Sequence, residues 1–309
     1  MKSNILETKY LSISFLVILS QIFCQVSEAG PLRDMISKHR AARQSTAEKT
    51  KLPADIQLIQ DIPYGKDVRN TMDVYFSPQA KNAPVIFMVH GGAWQMGDKA
   101  GKAVIENKVK RWVPQGYVFV STNYRLVPEV DPLTQVTDIA RALAVAQKNA
   151  SSWGGDPSRF VLIGHSAGSH LVAALASSPS IPQEFGVKPW LGTILLDSEA
   201  LDVVRIMEAK HPRFYNKVFG QDITYWKSVS PFHLLTVTAT KAQFLLVCSS
   251  EHKGSCPQAN SFADKASRLG IPAKVLEVDM SHKEINKQLG ADNLYTQSVE
   301  SFLATLSKQ

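Results

Sequence analysis

Short apolar runs alternate with longer amphipathic stretches along this chain. Ile56 to Ile62 and Thr71 to Phe76 read as half-buried strands separated by a turn around Gly65. Pro84 to Val89 is a near-continuous apolar run, the pattern of a strand covered on both faces. Tyr117 to Thr122, Phe160 to Ile163, Leu191 to Leu196, Phe244 to Val247 and Lys274 to Val278 continue the series. Between them, residues 98–114, 133–149, 257–269 and 294–306 suit helices, as does the Ala/Leu-rich run after Ser166. Asp156-Pro157 reads as a turn. Strand–helix alternation of this kind predicts an α/β fold: a mostly parallel sheet with helices on both faces, in one domain over residues 54–309. The alternation breaks over 203–232, where Tyr215, Phe219, Tyr225 and Trp226 cluster. We read that segment as a small cap-like insertion over the carboxyl ends of the strands.

Ahead of the domain, Lys2 and Lys9 precede an apolar stretch from Leu11 to Cys24, and Ser27-Glu28-Ala29 puts small residues at the −3 and −1 positions. This is the pattern of a secretory signal peptide, residues 1–29, and implies a secreted or periplasmic protein. The apolar stretch is shorter than the ~20 residues a membrane span needs, so no stable membrane anchor is expected. Residues 30–53 form a basic arm, with Arg33, Lys38, Arg40, Arg43, Lys49 and Lys51 against Asp34 and Glu48. With 309 residues, 44% of them hydrophobic, the chain can bury a full core. The net charge of +7 includes no Lys/Arg run interleaved with aromatics, so nucleic acid is not an expected partner. Loss of Cys24 with the leader would leave Cys248 and Cys256 as an even pair, which predicts a disulfide in an oxidising compartment; two buried free thiols are the competing reading.

Two motifs carry chemistry. Gly164-His165-Ser166-Ala167-Gly168 sits between the Phe160–Ile163 strand and an apolar helix. That is the strand–turn–helix setting in which a serine is lifted above a sheet edge as a nucleophile. His90-Gly91-Gly92-Ala93-Trp94 follows the Val85–Val89 strand. Such a loop presents backbone N–H groups, and Gly91, Gly92 and Ala167 are the expected oxyanion donors. Either motif alone is also compatible with a plain Gly-rich turn; together, at two strand ends, they point to acyl transfer.

With Asn123-Tyr124-Arg125-Leu126, Asp156-Pro157-Ser158-Arg159-Phe160 and Asp279-Met280-Ser281-His282, these motifs resemble α/β-hydrolases of the hormone-sensitive-lipase and carboxylesterase type, close to the feruloyl-esterase and arylformamidase-like branch. The resemblance covers about residues 55–307 and implies the α/β-hydrolase fold and a serine esterase acting on a small-molecule ester. The chain order of that fold, Ser then acid then His, makes His282 the base, since it follows the last strand. His165, His170 and His90 sit inside or beside the two motifs, and His211, His233 and His252 precede the last strand. For the acid, the family pattern places Asp after the Phe244–Val247 strand, and Glu251 is the only carboxylate there. Glu251 is therefore the expected acid, with Asp197 after the preceding strand as the alternative. No cofactor is expected: the sequence lacks metal-ligand spacing and a Gly-x-Gly-x-x-Gly after the first strand. An arylformamidase-like amide hydrolase and a catalytically silent binding protein on the same fold remain as alternatives.

Overall fold

A computed structural model describes residues 53–237 and 242–306. The expected leader, and the basic arm up to residue 52, lie outside the described residues. The described chain builds an eight-stranded sheet in the order β1-β2-β4-β3-β5-β6-β7-β8. Its strands are β1 (Gln57–Pro63), β2 (Thr71–Phe76), β3 (Ala83–Val89), β4 (Val118–Thr122), β5 (Gly155–His165), β6 (Gly192–Leu196), β7 (Gln243–Ser249) and β8 (Ala273–Val278). Only β2 runs antiparallel to its neighbours, β1 and β4; from β4 to β8 every pairing is parallel.

Side-chain alternation sends each central strand into two cores. Val85, Phe87 and Val89 of β3 pack with helices α2 (Pro132–Asn149) and α3 (Ala167–Ser177) on one face. Ile86 and Met88 pack on the other face with α1 (Lys102–Trp112) and α11 (Leu294–Leu306). All five side chains are fully buried, which is why this strand reads as an unbroken apolar run. Burial of each such side chain is worth about 1.5–3 kcal/mol.

The chain leaves β3 for β4 on one side and returns to β5 on the other. Ligands of open α/β sheets bind in the crevice beyond the carboxyl ends at such a reversal. Register makes the crevice specific. Val89 pairs with Gly164, and His165 pairs with Leu196. Leu196 pairs with Val247, and Ser249 pairs with Val278. Loops 90–97, 165–167, 197–202, 250–254 and 279–282 therefore open side by side.

Two elements differ from the expectation. Asp156-Pro157 lies inside β5 rather than before it. There Asp156 Oδ1 accepts from the Ser158 amide (2.8 Å) and hydroxyl (2.6 Å), making a local turn within the strand. The β3 register jumps from Ala83↔Gly155 to Val85↔Phe160 to absorb it. Residues 98–101 do not join α1: the Lys99 amide donates to Asn123 Oδ1 (2.7 Å), and Lys99 makes a buried ion pair with Asp73. Segment 203–232 is helical, folding as α5 (Val203–Glu208), α6 (Phe214–Phe219), α7 (Ile223–Val229) and the start of α8 (Pro231–Leu234). A four-residue helix, α4 (Ile181–Glu184), precedes β6, and α9 (Ser255–Arg268) and α10 (His282–Gln288) flank β8.

One buried cation ties α1 to α10. Lys108 is fully buried and donates to the carbonyls of Ala103 (2.9 Å) and Asn286 (2.6 Å). Burial pushes its amine down to about 7, against ~10.4 in an unfolded chain. Between these values the unfolded chain binds the extra proton, so stability rises with pH, by at most about 1.4 kcal/mol per unit. Lys108→Met is expected to flatten that rise, measured as the difference between variant and parent urea midpoints from pH 7 to 10. An unchanged pH slope would show that Lys108 is not the group responsible.

Candidate active site

Ser166 follows β5 at φ 56° and ψ −120°, a positive-φ conformation that is costly for a non-glycine residue. The Ser166 amide donates to Leu196 O (2.9 Å), and Ser169 Oγ bridges the Gly164 carbonyl (2.6 Å) and Leu196 carbonyl (3.0 Å). The two flanking glycines are required by close approach. A Cβ at Gly164 would lie 2.3 Å from Gly168 O, and one at Gly168 would lie 2.3 Å from Val89 O. The Ser166 hydroxyl does not cap α3, whose first residue is Ala167. It is left beside the positive end of that helix.

The 90–97 loop packs directly on this turn, since a Cβ at Gly91 would fall 2.9 Å from Ser166 Cβ. Gly92, Ala93 and Trp94 have φ of 127°, 50° and 61°, an unusual run held by its surroundings. The Gln95 and Met96 amides donate to Gly92 O, at 3.1 and 3.0 Å. Trp94 O accepts from the Val127 amide and from Gln135 Nε2, both at 2.9 Å. The buried Trp94 indole donates to His170 Nδ1 (3.1 Å), and His170 Nε2 donates in turn to Val229 O (2.8 Å). Tyr124 stacks on His90 at 4.5 Å and donates to its carbonyl (3.0 Å), while Arg125 forks onto Asp138 at 2.7 and 2.9 Å. The Asn123-Tyr124-Arg125 motif is thus scaffolding for the loop. Burial pushes His90 and His170 down to about 4 and His165 to about 3, so all three are neutral at pH 7. Among the described residues the Gly91, Gly92 and Ala93 amides find no acceptor, which leaves them available for a developing oxyanion. A Cβ at Gly92 would meet Met96 O at 2.1 Å. Gly92→Ala is therefore expected to move the loop and lower kcat for ester hydrolysis by about 10²–10³, the effect of losing one oxyanion donor. An activity within twofold of the parent, by steady-state assay, would remove Gly92 from the site.

His282 opens α10, and its helix is fixed by a reciprocal cap between Ser281 and Glu284. The carboxylate that faces it is Asp197, the alternative named from the sequence, and not Glu251. Asp197 Oδ2 accepts from His282 Nδ1 at 2.6 Å, and Oδ1 accepts from the Ser249 amide at 2.8 Å. Asp197 is fully buried, at φ 51° just beyond β6, with its amide on Val247 O (2.8 Å). Burial would raise the carboxyl, but hydrogen bonds from His252, His282 and Ser249 outweigh it and hold it well below the usual carboxylate range. A persistent carboxylate on Nδ1 fixes the tautomer and leaves Nε2 of His282 as the basic nitrogen. Glu251 is exposed, and only its amide enters the network, donating to Ser249 Oγ (3.1 Å). The same oxygen takes the His252 amide (3.1 Å), so the turn aims His252 rather than Glu251 at Asp197, with Nδ1 at 3.0 Å from Oδ2. Cys248 and Cys256 form a disulfide across this turn, with Cα atoms 5.0 Å apart.

His252 and Glu199 are the site residues that sequence reasoning missed. Donor atoms of Asp197, His252 and His282 lie within 4.8 Å of one another. Both imidazoles use an Nδ1–H on the carboxylate, so the arrangement is a hydrogen-bond network rather than an open set of cation ligands. A cavity of about 480 Å³ opens over Ser166 and His282, walled by Trp94, Phe214 and Tyr215 among others. Tyr225 and Trp226, equally eligible from sequence, instead pack against the core.

Comparison with known proteins agrees with this geometry. Residues 72–189 match the BD-FAE family. Esterase LipQ of Mycobacterium tuberculosis is 36% identical over 126 residues, covering 40% of this chain and 30% of that protein. The probable isoprenylcysteine alpha-carbonyl methylesterase ICME of Oryza sativa subsp. japonica is 31% identical over 241 residues, 71% of this chain and 56% of that one. The chain thus spans between 30% and 56% of the length of these two relatives. In structure, esterase B from Lactobacillus rhamnosis superposes with a TM-score of 0.69 at 20% identity, over 90% of this chain and 94% of that one. Strand order and the structural superposition together give the chain the α/β-hydrolase fold, and its residues 72–189 match the BD-FAE family.

Proposed function

We propose that this protein is an exported carboxylic ester hydrolase working through Ser166, His282 and Asp197. The observation that carries the reading is the 2.6 Å contact between His282 and Asp197 at the wall of the cavity that also exposes Ser166. In the reaction, Ser166 Oγ attacks the ester carbonyl while His282 Nε2 takes its proton. The carbonyl electrons move to oxygen, and the amides of Gly91, Gly92 and Ala167 receive the oxyanion. Collapse of the intermediate expels the alcohol, which takes the proton from His282 and leaves an acyl-serine. Water, deprotonated by the same imidazole, then releases the acid and restores Ser166. Asp197 stays ionised throughout and stabilises the imidazolium.

Trp94, Phe214 and Tyr215 give the cavity an apolar wall, which suits an acyl or aromatic ester group. The Cys248–Cys256 disulfide supports residence in an oxidising compartment, in keeping with the leader pattern. Among the described residues no helix is long and apolar enough to cross a membrane. The experiment sets p-nitrophenyl esters of increasing acyl length against formylated aromatic amines. Preferred turnover of the esters is expected. Preferred cleavage of the formamides would transfer the same machinery to an amidase. Binding without turnover of either would return the reading as a silent binding protein.

A further inference from the structure

Asp197 serves two imidazoles through one oxygen. His282 Nδ1 lies 2.6 Å from Oδ2, and His252 Nδ1 lies 3.0 Å from the same atom. The other ring nitrogen of His252 is also occupied, since Nε2 stands 2.8 Å from Glu199 Oε1. With a carboxylate on each nitrogen, both must carry a proton, so His252 is an imidazolium. Its proton affinity is pushed up to about 10, first by the contact with Asp197 and then by that with Glu199. Glu199 is correspondingly held below the usual carboxylate range, chiefly by His252.

The rest of the surroundings fixes this ring in place. The His252 amide is on Ser249 Oγ, which itself donates to Met280 O (2.7 Å) two residues before His282. The titratable groups facing His252 are Asp197 and Glu199 from the loop after β6, and His282 from α10 at 5.2 Å between ring centroids. Tyr215 of α6 adjoins Glu199 from the cavity side, and Glu251 and Lys253 are its neighbours on its own loop. A fixed cation 5.2 Å from the base, paired with two carboxylates, is more than a loop needs for closure, because the disulfide already supplies that.

We propose that the His252–Glu199 pair sets the basicity of His282 through the carboxylate they share at Asp197. This rests on the reading of Ser166, His282 and Asp197 as the hydrolytic site. His252 is then a positioning residue: from the wall of the same cavity it acts on the base through its contact with Asp197. With the imidazolium present, Asp197 Oδ2 divides its charge between two N–H donors, so the contact it offers His282 is weaker than an unshared one. Removing the His252 charge leaves Asp197 and Glu199 as two anions beside His282 and raises its proton affinity. Removing the Glu199 charge leaves an uncompensated cation and lowers it. The two changes act with opposite sign.

The test is the acid limb of the kcat/KM–pH profile for p-nitrophenyl acetate in the parent, His252→Gln and Glu199→Gln. The limb is expected to move up by about one unit in the first variant and down by about half a unit in the second. The His282 pKa is read in the same three proteins from imidazole ¹⁵N chemical shifts, which need no turnover, and His252 of the parent is expected to remain imidazolium at pH 8. A parent without ester turnover defeats the functional reading alone, and the NMR shifts still decide this one. Shifts of the same sign in both variants, a His282 pKa constant within about 0.2 unit, or a neutral His252 at pH 7 would overturn the proposal. A uniform fall in kcat with the limb unmoved would reduce His252 to a structural strut.

Discussion

Asp197→Asn is expected to lower kcat/KM for ester hydrolysis by about 10⁴, while Glu251→Gln remains within about twofold of the parent. The asymmetry follows from contacts. Asn keeps the size of Asp197, but its amide cannot accept from both imidazoles and stabilise an imidazolium. His282 would lose the 2.6 Å acceptor that fixes its tautomer, and the buried side chain would sit against two N–H donors with one fewer suitable oxygen. Glu251 reaches the site only through its backbone amide, which the Gln variant retains. Equal losses in the two variants, or a loss confined to Glu251→Gln, would mean that the loop after β7 supplies the acid during turnover. Circular dichroism should show both variants folded, because Asp197→Asn preserves volume in the buried site.

Ser166→Ala is expected to remove hydrolysis by about 10⁴–10⁶ in kcat, leaving only what the oxyanion loop contributes without a nucleophile. Stability should change little. The φ of 56° is as costly for Ala as for Ser, and the hydroxyl does not cap α3 and among the described residues takes no protein partner that the variant would strand. Near-parent turnover in Ser166→Ala would place the nucleophile elsewhere and dissolve the role of His282 with it.

What was legible in the sequence was what contiguous residues encode. The 164–168 turn shows its two glycines because backbone atoms crowd within 2.3 Å of both positions, and the 91–92 pair shows itself for a related reason. The buried strand 84–89 declares itself because both of its faces are apolar. The acid was legible only as a choice between Glu251 and Asp197. Its choice depends on register, since Leu196 pairs with Val247 and thereby sets Asp197 against the Ser249 amide. His252 escaped notice for the same reason: which side chain of the 250–254 turn points inward is decided by the Ser249 hydroxyl, a tertiary detail. Helix α10 was readable in principle, because Ser281 and Glu284 have capping-box spacing. Asp156-Pro157 misled because a turn can be accommodated within a strand when the partner register shifts.

The proposed chemistry stands or falls with Ser166 as an activated nucleophile. A fluorophosphonate probe followed by intact-mass and peptide mapping tests it most directly. A single adduct on Ser166 that disappears in Ser166→Ala is expected. A folded protein that stays unlabelled, or an adduct that persists in Ser166→Ala, would contradict it.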